Sequence, residues 1–148
     1  MDGKNKLSEN SEDYLEVILN LQNTQKVARS KEIAKKLNIQ RGSITGMLKK
    51  LSRKKLVNYE PYGFITLTKK GEKIAREIKR RHIIIKDFLF RVLQVEEKKA
   101  DAIACRMEHA MDKPTVDMLL KFITFIDKHP GTDSNWIQEF IDFCSDKE

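Results

Sequence analysis

The sequence predicts a mainly α-helical protein with one short β-hairpin in its N-terminal half. Apolar residues recur at helical spacing over most of the 148 residues, whereas strand-like alternation is confined to the segments LVNYE and FITLT. Only 3 prolines and 6 glycines interrupt the chain, and 40% of its residues are hydrophobic, which is enough for a buried core. A chain of this length holds one domain or two small ones.

Three helices are predicted before the hairpin. Ser11 is suited to cap the first helix, which runs to about Gln25, so residues 1–10 are expected to form a tail. The second helix is SKEIAKKLN, with Ser30 as its expected cap. The third helix begins at Arg41, and its i, i+3, i+4, i+7 positions form one apolar stripe of Ile44, Met47, Leu48 and Leu51.

The hairpin follows directly, with Pro61-Tyr62-Gly63 as its turn. Helix, helix, turn, helix and then a hairpin with an aromatic tip is the order of a winged helix-turn-helix, a DNA-binding fold. From Lys26 to Lys86 there are 19 lysines and arginines against 4 acidic residues, although the whole chain carries only +7. This basic block indicates binding of a polyanion, with a solvated lysine-rich surface as the alternative.

The solvent face of the third helix is where contacts to DNA bases are expected. Arg41, Ser43 and Thr45 lie toward its N-terminal end, and Arg41 has two donors suited to guanine. Tyr62 at the hairpin tip either contacts the DNA or packs against the hairpin. The basic side chains assigned to phosphates are Lys31, Lys49, Lys50 and Arg53.

The C-terminal half is predicted to be entirely helical. A long helix from Lys70 to about Gln94 is apolar over more than one face, which indicates either a subunit interface or an intramolecular core. Two further helices, VEEKKADAIACRMEHAM and PTVDMLLKFITFI, precede a break at His129-Pro130-Gly131 and a final amphipathic segment, NWIQEFIDFC. We expect a domain boundary between residues 76 and 77, giving domains 1–76 and 77–148.

The segment ACRMEH places Cys105, Glu108 and His109 at i, i+3 and i+4, on one face of a helix. A thiolate, an imidazole and a carboxylate together suit iron, cobalt, nickel or zinc better than calcium or magnesium. Each residue also has an ordinary explanation on a polar helix surface, so the spacing leaves both interpretations open. Further side chains of ligand type are Asp13 and Glu16 on one face of the first helix, His82, and Asp101.

From about Ser11 to Ile126 the chain resembles the DtxR/MntR family of metal-dependent transcriptional repressors. The resemblance rests on SEDYLEVILNL, SITGMLKKLSRKKLV, ITLTKKGEKIA, RRH and, most specifically, ACRMEHAM. It implies a recognition helix starting at Arg41, a helical dimerisation and metal-binding domain forming a homodimer, and double-stranded operator DNA as the partner. The metal ligands that it implies are Asp13, Glu16, His82, Cys105, Glu108 and His109.

The implied ligand set is a hybrid of two branches. The iron branch has methionine at the position of Asp13, and the manganese branch has glutamate at the position of Cys105. We expect Fe²⁺ as the metal because a thiolate beside histidine suits manganese poorly, with Mn²⁺ possible and Co²⁺, Ni²⁺ or Zn²⁺ able to substitute in vitro. Lys86 and Asp101 replace residues typical of a second metal site, so a second site is not expected. The SH3-like third domain of some members is also not expected.

Other functional classes receive less support from the sequence. A small metalloenzyme using Glu108 as a base would leave the basic block unexplained. In a metal-independent winged-helix regulator, the ligand-type residues would be ordinary polar side chains facing solvent. No apolar segment approaches the ~20 residues of a membrane span, and the polar N-terminus is unlike a signal peptide. With only 2 cysteines, the chain is expected in a reducing cytoplasm.

Overall fold

A computed structural model describes residues 7–128 and 135–145 of the chain. It confirms the mainly α-helical class, and the chain divides into two compact units, Met1–Lys79 and Arg80–Glu148. The predicted break at His129-Pro130-Gly131 lies outside the described residues. The elements in chain order are α1 (Glu9–Gln25), α2 (Ser30–Leu37), α3 (Arg41–Arg53), β1 (Val57–Asn58), β2 (Thr66–Leu67), α4 (Lys69–Asp87), a π-helical segment (Phe88–Val92), α5 (Glu97–Ala110), α6 (Lys113–Lys128) and α7 (Trp136–Ser145).

Helix α1 begins earlier than the sequence pattern predicts. Its N-cap is Ser8, which has extended backbone angles and whose Oγ accepts a hydrogen bond from the Ser11 amide at 3.3 Å. The prediction of Ser11 as the cap is wrong because Ser11 is buried inside the helix, where its hydroxyl donates to Met47 Sδ at 3.6 Å. A serine one turn earlier therefore provides the capping oxygen.

Helices α2 and α3 pack with α1 around one apolar core. Ser30 is the first residue of α2, not its cap, because the preceding Arg29 has the extended backbone and its amide donates to Glu32 Oε2 at 3.0 Å. The predicted apolar stripe of α3 faces this core: Ile44, Leu48 and Leu51 are fully buried and Met47 is partly buried. The opposite face of α3 remains open to solvent.

The hairpin is shorter than the two predicted strands. Strands β1 and β2 pair antiparallel, with Val57 opposite Leu67, and a bridge between Ala28 and Ile65 extends the pairing toward α2. The ladder stops before the tip because the amide and carbonyl of Ile65 bond to Ala28 and not to β1, and within the predicted turn Tyr62 adopts a left-handed φ of 63°. The hairpin therefore has a short base and a long exposed loop.

The start of α4 is fixed against the base of the hairpin. Thr68 Oγ1 accepts from the Gly71 amide at 3.0 Å and donates to the Lys55 carbonyl at 2.8 Å. A Cβ atom at position 71 would lie 1.9 Å from the Leu56 carbonyl oxygen, so only glycine fits this approach. The hairpin, which is the wing of this fold, and α4 are thereby held together within the N-terminal unit.

The C-terminal unit begins within α4, which is one continuous helix across the predicted 76/77 boundary. The predicted helix to Gln94 changes at Phe88 into a π-helical segment that is closed by a Leu93 amide to Phe88 carbonyl hydrogen bond of 3.0 Å. Side-chain oxygens of Glu96 and Asp112 cap the starts of α5 and α6. These caps explain why two helices follow in quick succession.

Most buried hydrophobic residues of the C-terminal unit form two small clusters. One contains Ile85, Leu89, Ala100 and Ala104, and the other contains Ile84, Val116 and Ile123. Large apolar side chains remain exposed on its helices, among them Ile83, Phe90, Met118, Phe122 and Phe143. Across the described ranges, no helix combines the length and apolar character needed to cross a membrane.

Candidate metal centre and DNA-binding surface

Helices α4 and α5 bring three of the predicted metal ligands together in the C-terminal unit. Cys105 and Glu108 are three residues apart on α5, and His82 lies on α4. One ligand atom from each of these residues lies within 4.8 Å of the other two. The His82 Nδ1 atom is 2.7 Å from Glu108 Oε2 and 3.7 Å from Cys105 Sγ. The fold therefore brings Cys105 and Glu108 of α5 next to His82 of α4.

Burial and charge make this cluster unusual for a helix surface. Glu108 is only 1% exposed, and its hydrogen bond with His82 offsets the cost of burying the carboxylate. The same hydrogen bond is the main reason that the pKa of His82 is raised, against an opposing effect of burial and with help from Asp101. Cys105 is exposed and supplies sulfur on the open side of the cluster.

These three side chains fit a divalent transition metal. Bond lengths of about 2.0–2.3 Å in tetrahedral geometry place the donor atoms of one ion about 3.3–3.8 Å apart. The separation of Cys105 Sγ from His82 Nδ1 lies in that range, whereas the shorter His82–Glu108 distance is that of a hydrogen bond. Metal binding therefore requires His82 to release the Nδ1 proton and Glu108 to exchange that hydrogen bond for the cation.

The remaining predicted ligands have different surroundings. His109 is buried, and its Nε2 atom lies 3.6 Å from the other Glu108 oxygen, Oε1. Asp13 and Glu16 are on α1 in the N-terminal unit, where both are partly buried. Their roles as ligands remain predictions.

Asp101 lies on the same face of α5 as the predicted ligands and is not itself one of them. Its Oδ1 atom lies 3.1 Å from His82 Nε2 and 3.1 Å from Lys86 Nζ. Lys86 Nζ is also 3.3 Å from Glu97 Oε1. The hydrogen bond from Lys86 is the main cause of the lowered pKa of Asp101, followed by that from His82. Spacing on α5 placed Asp101 on the ligand face, but only the structure shows which histidine nitrogen it contacts.

The predicted DNA contacts are all exposed side chains of the N-terminal unit. Five of them line one cleft between α3 and the hairpin loop, together with residues of that loop; they are Lys31, Arg41, Thr45, Lys49 and Tyr62. Ser43, Lys50 and Arg53 lie on α3 outside the lining of this cleft. Tyr62 is fully exposed, which supports the predicted DNA contact over packing against the hairpin.

Sequence reasoning missed a contact between two other residues of the same cleft, Arg29 and Phe64. The Arg29 guanidinium carbon lies 5.2 Å from the centre of the Phe64 ring, within the range of a cation–π contact. The contact joins the start of α2 to the wing and fixes a cation at the cleft wall. Their separation of 35 residues gave no local signal of this pair.

Two family models match the chain in succession. Residues 6–65 match "Iron dependent repressor, N-terminal DNA binding domain" and residues 68–137 match "Iron dependent repressor, metal binding and dimerisation domain". The two matches together span most of the chain, in the order that the sequence predicts. Proteins of this family are transcriptional repressors, so the metalloenzyme alternative is wrong.

Individual relatives agree with the family models. An HTH-type transcriptional regulator of Methanocaldococcus jannaschii is 42% identical over 118 residues, which is 79% of this chain and 94% of that protein. The transcriptional regulator MntR of Escherichia coli O6:H1 is 35% identical over 118 residues, covering 80% of this chain and 74% of that protein.

A solved structure gives the same result for the fold. The manganese regulator SloR superposes with a TM-score of 0.70 and 30% sequence identity, covering 80% of this chain and 55% of that chain. This chain therefore spans about half the length of that solved structure. Taken with the two family models and the Cys105–Glu108–His82 cluster, these similarities show that the chain belongs to the DtxR/MntR family of metal-dependent transcriptional repressors.

Proposed function

We propose that this protein is a repressor whose DNA binding is activated by a divalent transition metal, Fe²⁺ in the first place and Mn²⁺ in the second, to control genes of metal-ion homeostasis. The observation that carries the proposal is the convergence of His82, Cys105 and Glu108 within 4.8 Å, with Glu108 buried. A buried carboxylate facing an imidazole and a thiol costs free energy unless its charge is balanced. The His82 hydrogen bond offsets this cost in the structure, and a bound cation would take over that part.

The proposed ligands are His82, Cys105 and Glu108, together with His109, Asp13 and Glu16. The first three are supported by the distances between their donor atoms. His109 is supported by its contact with Glu108, and Asp13 and Glu16 by their shared face on α1 and by the family resemblance. Because Asp13 and Glu16 belong to the DNA-binding half of the sequence, we propose that their participation links metal binding to DNA binding.

The choice of Fe²⁺ over Mn²⁺ rests on Cys105. Thiolate and imidazole donors favour iron, cobalt, nickel and zinc, whereas Mn²⁺ prefers carboxylate and water. Asp13 and Glu16 are hard oxygen donors, and SloR is a manganese regulator, so Mn²⁺ is the second candidate. Tight zinc binding in vitro would carry little information, since affinities broadly follow the Irving–Williams order.

The proposed DNA-binding domain is residues 1–76, and residues 77–148 form the proposed dimerisation and metal-binding domain. Arg41, Ser43 and Thr45 read base edges from α3, while the exposed lysines and arginines around them bind phosphates. In a two-fold dimer, two copies of α3 fit successive major grooves, about 34 Å apart, so the operator is palindromic. Such a repressor acts in the cytoplasm.

The decisive experiment measures the affinity of the full-length protein for operator and bulk DNA, with a divalent metal and with a chelator. We expect sequence-specific binding with metal and its loss with chelator in the wild type. Cys105→Ala should reduce the response to Fe²⁺ because the cluster loses its sulfur donor. If chelator leaves sequence-specific binding unchanged, the chain is the metal-independent winged-helix regulator of the alternative hypothesis.

A second variant tests the buried ligand directly. Glu108→Ala should abolish the metal response while circular dichroism still shows a folded helical protein. Glu139→Ala removes an exposed glutamate of α7 and is the matched control, with an expected response like the wild type. A wild-type metal response in Glu108→Ala would show that the ligand assignment is wrong.

The identity of the metal requires a separate measurement. DNA binding should be titrated with Fe²⁺ and with Mn²⁺ under anaerobic, reducing conditions, and compared with the metal content of protein purified without added ions. We expect half-maximal activation at a lower free concentration of Fe²⁺ than of Mn²⁺. The opposite order would make manganese the activating metal and leave the rest of the proposal intact.

A further inference from the structure

The imidazole of His82 lies between two carboxylates that contact different ring nitrogens. Its Nδ1 atom faces Glu108 Oε2 at 2.7 Å and Cys105 Sγ at 3.7 Å. Its Nε2 atom, on the other edge of the ring, faces Asp101 Oδ1 at 3.1 Å. One edge of the ring is therefore directed at the candidate ligands and the other at Asp101.

A lysine holds Asp101 in this position. Lys86 Nζ lies 3.1 Å from the same Oδ1 atom that contacts His82, and 3.3 Å from Glu97 Oε1. Lys86 is four residues after His82 on α4, and Asp101 is four residues before Cys105 on α5, so both pairs are one helical turn apart. The His82–Asp101–Lys86 contacts therefore connect the same faces of the two helices as the candidate metal ligands.

We propose that Asp101 is a positioning residue of the metal centre, and this inference rests on the proposed function of that centre. By accepting the Nε2 proton of His82, Asp101 fixes the ring orientation and leaves the Nδ1 lone pair for the metal. A carboxylate in this position also increases the basicity of the coordinating nitrogen. Lys86 contributes by restraining the Asp101 carboxylate.

The competing explanation is an ordinary surface ion pair. The Asp101 side chain is 50% exposed and that of Lys86 is 31% exposed, and such pairs contribute little to stability. The His82 side chain, however, is only 15% exposed, and its contact with Asp101 uses the nitrogen opposite the ligand atoms. A surface ion pair predicts that Asp101 can be replaced without consequence for metal binding.

The test is a titration of the full-length protein with Co²⁺, followed by the thiolate-to-cobalt charge-transfer absorption that reports coordination by Cys105. Losing a hydrogen-bond partner of a coordinating histidine commonly weakens metal binding by about 10–100-fold, and we expect that range for Asp101→Ala. Asp101→Asn removes the same charge but keeps an oxygen that can accept the Nε2 proton. We therefore expect it to bind Co²⁺ at least about threefold more tightly than Asp101→Ala.

Glu97→Gln is the control for loss of negative charge, since Glu97 contacts Lys86 in the same cluster of charges. Its Co²⁺ affinity should remain within about threefold of the wild type, well short of the loss expected for a histidine partner. A second readout is the ¹⁵N resonances of the Zn²⁺-loaded protein, which has only 3 histidines. His82 should carry its proton on Nε2 in the wild type, with faster exchange with solvent in Asp101→Ala.

Two kinds of failure are distinguishable. If the wild type does not bind Co²⁺ with a thiolate charge-transfer band, the proposed metal centre fails and this inference fails with it. If the wild type binds Co²⁺ but Asp101→Ala loses less than about tenfold in affinity, only the positioning role is overturned. The positioning role is also overturned if Asp101→Asn binds Co²⁺ no more tightly than Asp101→Ala does. It is overturned as well if Glu97→Gln weakens Co²⁺ binding as much as Asp101→Ala does.

Discussion

In the N-terminal unit one cluster holds most of the buried hydrophobic residues, whereas most of those in the C-terminal unit fall into two small clusters that share the partly buried Met111 and Leu119. Among the described residues, the N-terminal unit exposes three large hydrophobic side chains, Ile39, Tyr62 and Phe64. Ten are exposed in the C-terminal unit: eight lie in α4, α6 and α7, one lies in the π-helical segment and one directly follows it. One unit thus buries its apolar residues within the single chain, and the other leaves an apolar surface.

This difference matches the two proposed roles. A domain that reads DNA needs a stable core and a polar, basic exterior, and the N-terminal unit has both. A dimerisation domain needs apolar surface that a second copy can cover, which the C-terminal unit provides. The proposed dimer would cover apolar side chains that are exposed in the single chain.

The largest expected effect comes from the core of the N-terminal unit. Leu48→Ala removes a fully buried side chain and should lower the free energy of unfolding by about 2–5 kcal/mol. The three tyrosines all lie in the N-terminal unit and the one tryptophan, Trp136, lies in the C-terminal unit, so intrinsic fluorescence reports the units separately. The tyrosine transition should shift more than that of Trp136. Equal shifts would show that the two units unfold together.

The next effect concerns the exposed apolar surface of the C-terminal unit. Met118 is 62% exposed on α6, so Met118→Glu should cost the single chain little but should weaken a dimer that buries this position. We expect at least a tenfold increase in the dimer dissociation constant, or about 1.4 kcal/mol, by sedimentation equilibrium. Ala102→Glu, at an exposed position of α5 that is not on this apolar surface, controls for one added negative charge. An unchanged dissociation constant would place Met118 outside the dimer interface.

An effect of similar size is expected at the DNA-reading face. Arg41→Ala should reduce discrimination at one base position by about 1–3 kcal/mol if its guanidinium binds guanine. Lys50→Ala, an exposed position of the same helix, should instead weaken all sequences alike and lower the salt dependence by about one phosphate contact. Binding to a set of single-base operator variants distinguishes the two patterns. A uniform loss in Arg41→Ala would make Arg41 a phosphate contact.

The smallest effect is the contact between Arg29 and Phe64. Phe64→Leu keeps apolar bulk but removes the aromatic face, and should cost about 0.5–1 kcal/mol of stability in the N-terminal unit. A double-mutant cycle with Arg29→Gln, read by the tyrosine transition, isolates the pair from other effects of each substitution. A coupling energy of zero would show that Arg29 and Phe64 are close together but do not stabilise the unit by interacting.

Sequence patterns predicted the features that depend on local periodicity. The stripe of α3 and the order of helices and hairpin follow from residue spacing, and the structure confirms them. The cap of α1 was placed one turn late because Ser8 and Ser11 are equally good caps locally, and only packing buries Ser11. The hairpin ladder is shorter than predicted because the backbone of Ile65 bonds to Ala28, a tertiary contact that strand-like alternation does not reveal.

The candidate site likewise combines features that residue spacing predicts with features that depend on tertiary packing. The i, i+3 spacing is enough to place Cys105 and Glu108 on one face of a helix. Their distance to His82, however, depends on how α4 packs beside α5. The contact of Asp101 with His82 Nε2 is likewise tertiary, and the sequence could only place Asp101 on the ligand face. Residue types and helical spacing thus identify candidate ligands, while the role of their neighbours requires coordinates.

The close approach of Gly71 to the Leu56 carbonyl has a consequence for directed evolution of this repressor. In a saturation library, position 71 should return glycine almost exclusively, because even alanine would place its methyl group 1.9 Å from that oxygen. The neighbouring exposed positions Lys69 and Lys70 should accept many residues. Libraries that aim to change operator preference can therefore vary the wing loop freely but should keep this junction constant.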